Sequence, residues 1–242
     1  TSGTTGNPKG VLYSHRSTLL HAYATMMPDA LGISRYDVVL PIVPMFHVNA
    51  WGNPYSCPMA GAKLVFPGSK MGDGKTLAAL INEEKVTLSA GVPTVWLGLL
   101  AHLKATGERI DSLQRITVGG AACPLSIMEE MDRYGVQTRV GWGMTEMSPL
   151  GTINASSTGR EQYSEQEFAR VRLKGGRPIF GVEMKIVDIE TGATLPPGKQ
   201  GELCTRGYLV MKGYYKMPEE TAKAIDADGW LHTGDLAVMD EN

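Results

Sequence analysis

The chain has 242 residues, a formal net charge of −2 and 20% charged residues of mixed sign, enough for one large domain or two smaller ones and without a basic face for nucleic acid. Its three cysteines, Cys57, Cys123 and Cys204, are far apart and lack metal-ligand spacing; they are expected to be buried, reduced thiols of a cytoplasmic protein. Between Val38 and Ala62 there is no Asp, Glu, Lys or Arg, but Pro41, Pro44, Pro54 and Pro58 with Asn49 and Asn53 exclude a spanning helix, so no transmembrane segment is expected.

The first ten residues, Thr1-Ser2-Gly3-Thr4-Thr5-Gly6-Asn7-Pro8-Lys9-Gly10, carry four hydroxyls, three glycines and one lysine with no bulky apolar side chain. Such a stretch reads as a phosphate-binding loop: glycines let backbone N–H groups converge, hydroxyls add donors, and Lys9 adds a compact positive charge. It is not a Walker loop, because Lys9 precedes Gly10 rather than Ser or Thr. The ordinary alternative is a Ser/Thr/Gly-rich connecting loop. A phosphate loop normally follows an anchoring strand, so the chain is expected to be a piece of a longer protein.

Helix composition covers Ser14 to Met27, ended by Pro28, and the apolar run Val38 to Val43 predicts a strand covered on both faces. A short helix is expected from Asn49, a strand over Lys63 to Phe66, a helix over Thr76 to Glu84 and a strand over Val86 to Ala90. Val95, Leu99 and Leu103 share one face of a helix over Pro93 to Lys104. A strand over Arg115 to Val118, a proline-opened helix over Pro124 to Arg133 and a strand over Val136 to Val140 follow. This alternation predicts an α/β fold, a mostly parallel sheet flanked by helices, with ligands at the carboxyl ends of its strands. Past a polar stretch with a helix over Glu165 to Arg172, strands at Glu183 to Asp188 and Glu202 to Arg206 alternate with Gly and Pro turns. They predict a small antiparallel β subdomain. The expected division is 1–170 for the α/β part and 171–242 for the β part.

TSGTTGNPKG is similar to the phosphate loop of the adenylate-forming superfamily. PMFHVNAW at 44–51, VGGAACP at 118–124, GWGMTEMSP at 141–149, and GELCTRGYLVMKGYY through WLHTGD within 201–235 resemble that family in order and spacing. PMFHVNAW most resembles its medium- to long-chain fatty acyl-CoA synthetase branch. The resemblance implies a carboxylate joined to the α-phosphate of ATP, then passed to coenzyme A. It also implies a mobile C-terminal domain, absent from this chain, without which little ligase activity is expected, and it leaves a homodimer of the full-length protein open. The expected partners are the small molecules fatty acid, ATP and CoA.

By that resemblance Thr1, Ser2, Gly3, Thr4, Thr5, Gly6 and Lys9 hold the β and γ phosphates, and Thr1 and Glu146 approach Mg2+. Magnesium favours oxygen donors, so a hydroxyl and a carboxylate suit it. Trp142 stands where most relatives have a tyrosine stacked on adenine; its larger face keeps the stacking and loses the phenol. Gly120, Ala121 and Ala122 border the adenine, Val140 and Gly141 lead to Trp142, and Thr145 meets the α-phosphate region. Asp235 matches the aspartate that accepts both ribose hydroxyls, a role suited to an acceptor-only carboxylate. His47 falls near the reacting carboxylate; the alternative is a histidine packed in the core. No general base is required, since the acid is ionised at neutral pH.

Amino-acid-activating relatives have an aspartate where His47 stands, so an α-amino acid would bury an unpaired charge here. Val48, Trp51, Tyr55, Gly91 and Val92 are the candidate acyl-pocket residues, apolar or small, and suit an alkyl chain. By the resemblance Trp51 gates an acyl tunnel; ordinary core packing is its alternative. The rival functions are an aryl- or short-chain acid CoA ligase, a carrier-protein-loading domain and a non-catalytic nucleotide-binding module.

Overall fold

A computed structural model describes residues 7–47, 50, 52–155 and 160–241. The expectations on Thr1 to Gly6, Val48 and Trp51 lie outside these residues. The described chain forms two compact units, residues 21–144 with 149–179, and residues 7–20 with 145–148 and 180–241.

The larger unit is built on a seven-stranded sheet in the order β2-β1-β3-β4-β5-β6-β7. β1 (Val38–Pro41), β2 (Lys63–Leu64), β3 (Leu88–Gly91), β4 (Arg115–Val118) and β5 (Gln137–Gly143) run parallel. β6 (Leu150–Asn154) and β7 (Arg177–Pro178) add an antiparallel edge. Successive residues of a strand face opposite ways, and β1 feeds two separate cores accordingly. Leu40 joins Leu77, Ile81, Trp96, Leu99, Leu103, Ile116 and Ile127 in the larger cluster. Val39 packs with Ile33, Cys57 and Leu88 on the other face.

The helices are α1 (His15–Met26), α2 (Asn53–Ala60), α3 (Gly74–Glu84), α4 (Pro93–Thr106), α5 (Leu125–Arg133) and α6 (Glu165–Arg172). Local chemistry sets their ends. Asp73 accepts the Thr76 N–H to open α3, Pro93 starts α4 and Gly107 closes it at φ 74°. Ser164 and Glu167 form a reciprocal capping box on α6. The helix expected from Asn49 has bounds Asn53–Ala60, with Pro54 in its first turn.

The fifth strand was expected to stop at Val140, but β5 runs to Gly143 because β6 pairs with it, Gly141 against Ile153 and Trp142 against Thr152. Gly141 and Trp142 are therefore strand residues, with a register shift only at Trp142/Gly143. A Cβ on Gly143 would stand 2.2 Å from the Pro149 carbonyl oxygen, so this close approach requires glycine.

The smaller unit contains a three-stranded antiparallel sheet in the order β10-β9-β8, formed by β8 (Val182–Val187), β9 (Gln200–Gly207) and β10 (Leu231–Val238), together with α7 (Pro218–Ala224). Residues 10–12 lie along 212–215 in the same unit through Leu12 N–H to the Gly213 carbonyl at 2.9 Å and Tyr215 N–H to the Gly10 carbonyl at 2.7 Å. The three cysteines are free and buried, as expected. No helix among the described residues is long and apolar enough to cross a membrane.

Candidate functional site

In the smaller unit, polar side chains brought together from distant sequence hold one another. Lys9 Nζ donates to Glu220 Oε2 at 2.8 Å and lies 4.9 Å from the centre of the Tyr214 ring. Glu220 also accepts from Lys223 at 2.8 Å; the hydrogen bonds from Lys223 and Lys9 bring its carboxyl down to about 2. The Tyr214 hydroxyl donates to Glu146 Oε1 at 2.9 Å, and burial followed by the Glu146 carboxylate raises the phenol above its usual range. Glu146 is only 4% exposed, and its carbonyl accepts the Met211 N–H at 2.7 Å. The Thr145 carbonyl accepts the Tyr13 hydroxyl at 2.5 Å. Side chains from short, distant segments thus hold a buried carboxylate and Lys9 in place.

The turn that carries Asp235 is tied to β9 at several points. β10 changes register between His232 and Leu236, and Gly234 takes φ 75°, a conformation glycine adopts without steric cost. Gly234 N–H donates to Glu202 Oε1 at 3.1 Å, while His232 Nδ1 donates to Glu202 Oε2 at 2.8 Å. Thr233 Oγ1 donates to the Leu203 carbonyl at 2.7 Å and accepts the Asp235 N–H at 3.1 Å. Cys204 Sγ lies 3.5 Å from His232 Nδ1, and Glu202, Cys204 and His232 are a metal-capable trio among the described residues. Burial pushes the Cys204 thiol up to about 11, so it stays protonated at neutral pH, and the Glu202 oxygens are already engaged in holding the turn.

In the larger unit a cavity of about 70 Å³ opens at the carboxyl ends of β3, β4 and β5. This is where an α/β sheet binds its ligands. Ala90, Gly91, Thr117, Gly119, Gly120 and Gly141 supply small walls, and Trp142, Leu31, Pro149 and Leu150 supply apolar surface. Gly91 cannot be enlarged cheaply, since a Cβ there would meet Ile42 Cγ1 at 2.7 Å. No charged side chain lines the cavity among the described residues.

Of the residues expected to form the site, Gly91, Gly120, Gly141 and Trp142 meet at this cavity. Ala121 and Ala122 are exposed just beyond β4, Val140 lies within β5, and Tyr55 sits on α2 at 39% exposure, away from the lining. His47 is exposed, its N–H bonded to the Pro44 carbonyl at 2.8 Å, and neighbouring Phe46 is 84% exposed. The core-packing alternative for His47 is thereby removed. Glu146, Lys9, Thr145 and Asp235 belong to the smaller unit described above.

Several residues at these places carry no sequence signal. Tyr214 and Glu220 meet Glu146 and Lys9 across 68 and 211 residues of chain. His21, on α1, is almost fully buried at the cavity, and its Nε2 accepts the Leu150 N–H at 3.1 Å. Burial lowers its pKa to about 4.

The family model described as "AMP-binding enzyme" matches residues 1–215. The chain belongs to the AMP-binding enzyme family. It is 51% identical, over its whole length, to the medium-chain-fatty-acid–CoA ligase of Ectopseudomonas oleovorans, and 49% identical to the 3-methylmercaptopropionyl-CoA ligase of Ruegeria pomeroyi. In each case it covers 44% of the relative, so it spans less than half their length. Among solved structures, a long-chain-fatty-acid-CoA ligase from Archaeoglobus fulgidus superposes over the whole chain with TM-score 0.86 at 26% identity, covering 48% of that protein. The two sheets described above therefore form part of an AMP-binding enzyme.

Proposed function

We propose that this chain is the ATP- and acyl-binding core of a fatty acyl-CoA ligase acting on a medium- or long-chain acid. The observation that carries this reading is the uncharged, glycine-walled cavity at the strand ends in a member of the AMP-binding enzyme family. A tail without charge fits it; an α-ammonium group would be buried without a counter-charge.

The reaction asks the protein for positioning and for electrostatic support of phosphate charge. The acid's carboxylate oxygen attacks the α-phosphorus of ATP, pyrophosphate leaves, and the thiol of coenzyme A then displaces AMP from the acyl-adenylate. In this reading Lys9 and the loop at 1–6 meet the outer phosphates, and Thr145 the α-phosphate. The Trp142 ring stacks on adenine beside Gly120, Ala121 and Ala122. Asp235 accepts the ribose hydroxyls, and His47 shapes the entry of the carboxylate. Glu146 suits magnesium, a cation of oxygen ligands: its carboxylate is buried, one oxygen is held by Tyr214, and Oε2 makes no hydrogen bond among the described residues. That ion would neutralise phosphate charge.

A second reading, a short acid with a thioether in its tail, is favoured by the Ruegeria relative at 49% identity. The test is product analysis with the full-length protein, ATP, CoA and octanoate. Octanoyl-CoA with stoichiometric AMP is expected; ATP binding without acyl-adenylate or acyl-CoA from any acid would make the protein a binding module instead.

A further inference from the structure

The cavity in the larger unit is not uniformly apolar. His21 of α1 and Asn53 of α2 line it, at 3% and 4% exposure. They are neighbours: a Cβ added to Gly52, next to Asn53, would stand 2.7 Å from His21 Cε1 and 3.2 Å from Nδ1. The Gly52 main chain therefore packs close to that edge of the imidazole, and a larger residue there would displace the ring.

The tautomer of His21 follows from its backbone partner. Nε2 accepts the Leu150 N–H, so the neutral ring carries its proton on Nδ1. Neither Nδ1–H nor the Asn53 carboxamide makes a hydrogen bond to any described residue, although Thr25, also on the lining, satisfies its hydroxyl on the Ala22 carbonyl at 2.9 Å. Both side chains line an open cavity, so water meets their spare hydrogen-bonding groups until a ligand displaces it, and a tail that offers no acceptor there leaves those groups unmet. At roughly 10–15 Å³ for each water-sized group, a cavity of about 70 Å³ holds roughly five to seven heavy atoms.

We propose that His21 and Asn53 form a polar recognition point in the acyl pocket, so that the protein prefers acids whose tail carries a neutral hydrogen-bond acceptor over the plain alkanoate of equal length. The acceptor is a keto or ether oxygen or, more weakly, a thioether sulfur, taking the His21 Nδ1–H and the Asn53 amide N–H. A carboxylate or phosphate in the tail is excluded by the lack of a cation on the walls. The proposal rests on the acyl-CoA ligase reading and refines its substrate.

The experiment is ATP–pyrophosphate exchange by the full-length protein with 4-oxopentanoate, 5-oxohexanoate and 6-oxoheptanoate, each paired with the alkanoate of its length. At one length at least, the keto acid is expected to lead by roughly tenfold in kcat/KM. Asn53→Ala and His21→Phe should each bring that ratio towards one. The ratio is unaffected by the fraction of folded protein, and Asn53→Ala leaves the Leu150 contact intact should His21→Phe fold poorly. No keto preference at any length, or variants that lower both acids equally, overturns the proposal while leaving a ligase. No exchange with any acid overturns the ligase reading and this inference with it.

Discussion

In the smaller unit Lys9 and Glu146 are held by neighbouring side chains, whereas the polar groups facing the cavity of the larger unit leave hydrogen-bonding capacity unused. Lys9 is paired with Glu220, and Glu146 is held by Tyr214, all at 2.8–2.9 Å. His21 spends one nitrogen on Leu150, and Asn53 spends its carboxamide on no described residue. Under the proposed function the difference follows from what each place would meet. Charged groups for a phosphate ligand need a fixed arrangement before it arrives, because reorganising them would consume the binding energy. A neutral tail needs only a shaped wall and a few unsatisfied donors, which confer choice among tails more than strength.

The largest effect that would sharpen this contrast is expected at Glu146. Glu146→Gln keeps shape and the Tyr214 contact but removes the buried charge, so acid-dependent pyrophosphate exchange should fall about 100-fold with an unchanged melting temperature. A fall of less than threefold would place the phosphate chemistry elsewhere.

The next effect belongs to His21 and is read in stability. Its folded pKa, about 4, lies below the ordinary 6.5, so between these values the unfolded chain binds a proton that the folded chain does not. Stability is therefore highest above about pH 6.5 and lost as pH falls towards 4, by about 2 kcal/mol between pH 7 and pH 5. Urea unfolding of the chain at the two pH values measures it, and His21→Phe should flatten that part of the slope. An unchanged slope would mean that the ring is not held neutral as described.

A smaller effect tests the β10 turn. Asp235→Ala should raise the KM for ATP about tenfold, through loss of charge-assisted hydrogen bonds to ribose. Glu202→Ala, which only releases Gly234 and His232, should raise it about threefold, with the KM for the acid unmoved. Equal effects on both KM values would reduce Glu202 to general support of the sheet.

Much of this was legible in the sequence for identifiable physical reasons. The alternation of Val39 and Leu40 between two cores, the Ser164–Glu167 capping box and the proline starts of α4 and α5 act locally, so periodicity and caps reveal them. β6 and β7 were not foreseen, because Leu150–Asn154 and the two-residue Arg177–Pro178 become strands only by pairing with β5 and each other. The same applies to Tyr214, Glu220 and His21. Each is an unremarkable residue in its own segment, and its role comes from a partner brought near by folding.

The most direct test is acid-dependent exchange of labelled pyrophosphate into ATP by the full-length protein, with octanoate, palmitate, benzoate and leucine offered singly. Exchange is expected with octanoate or palmitate and none with leucine, whose ammonium group would enter an uncharged cavity unpaired. Exchange with leucine alone, or with none of the four or the keto acids, would contradict the acyl-CoA ligase reading.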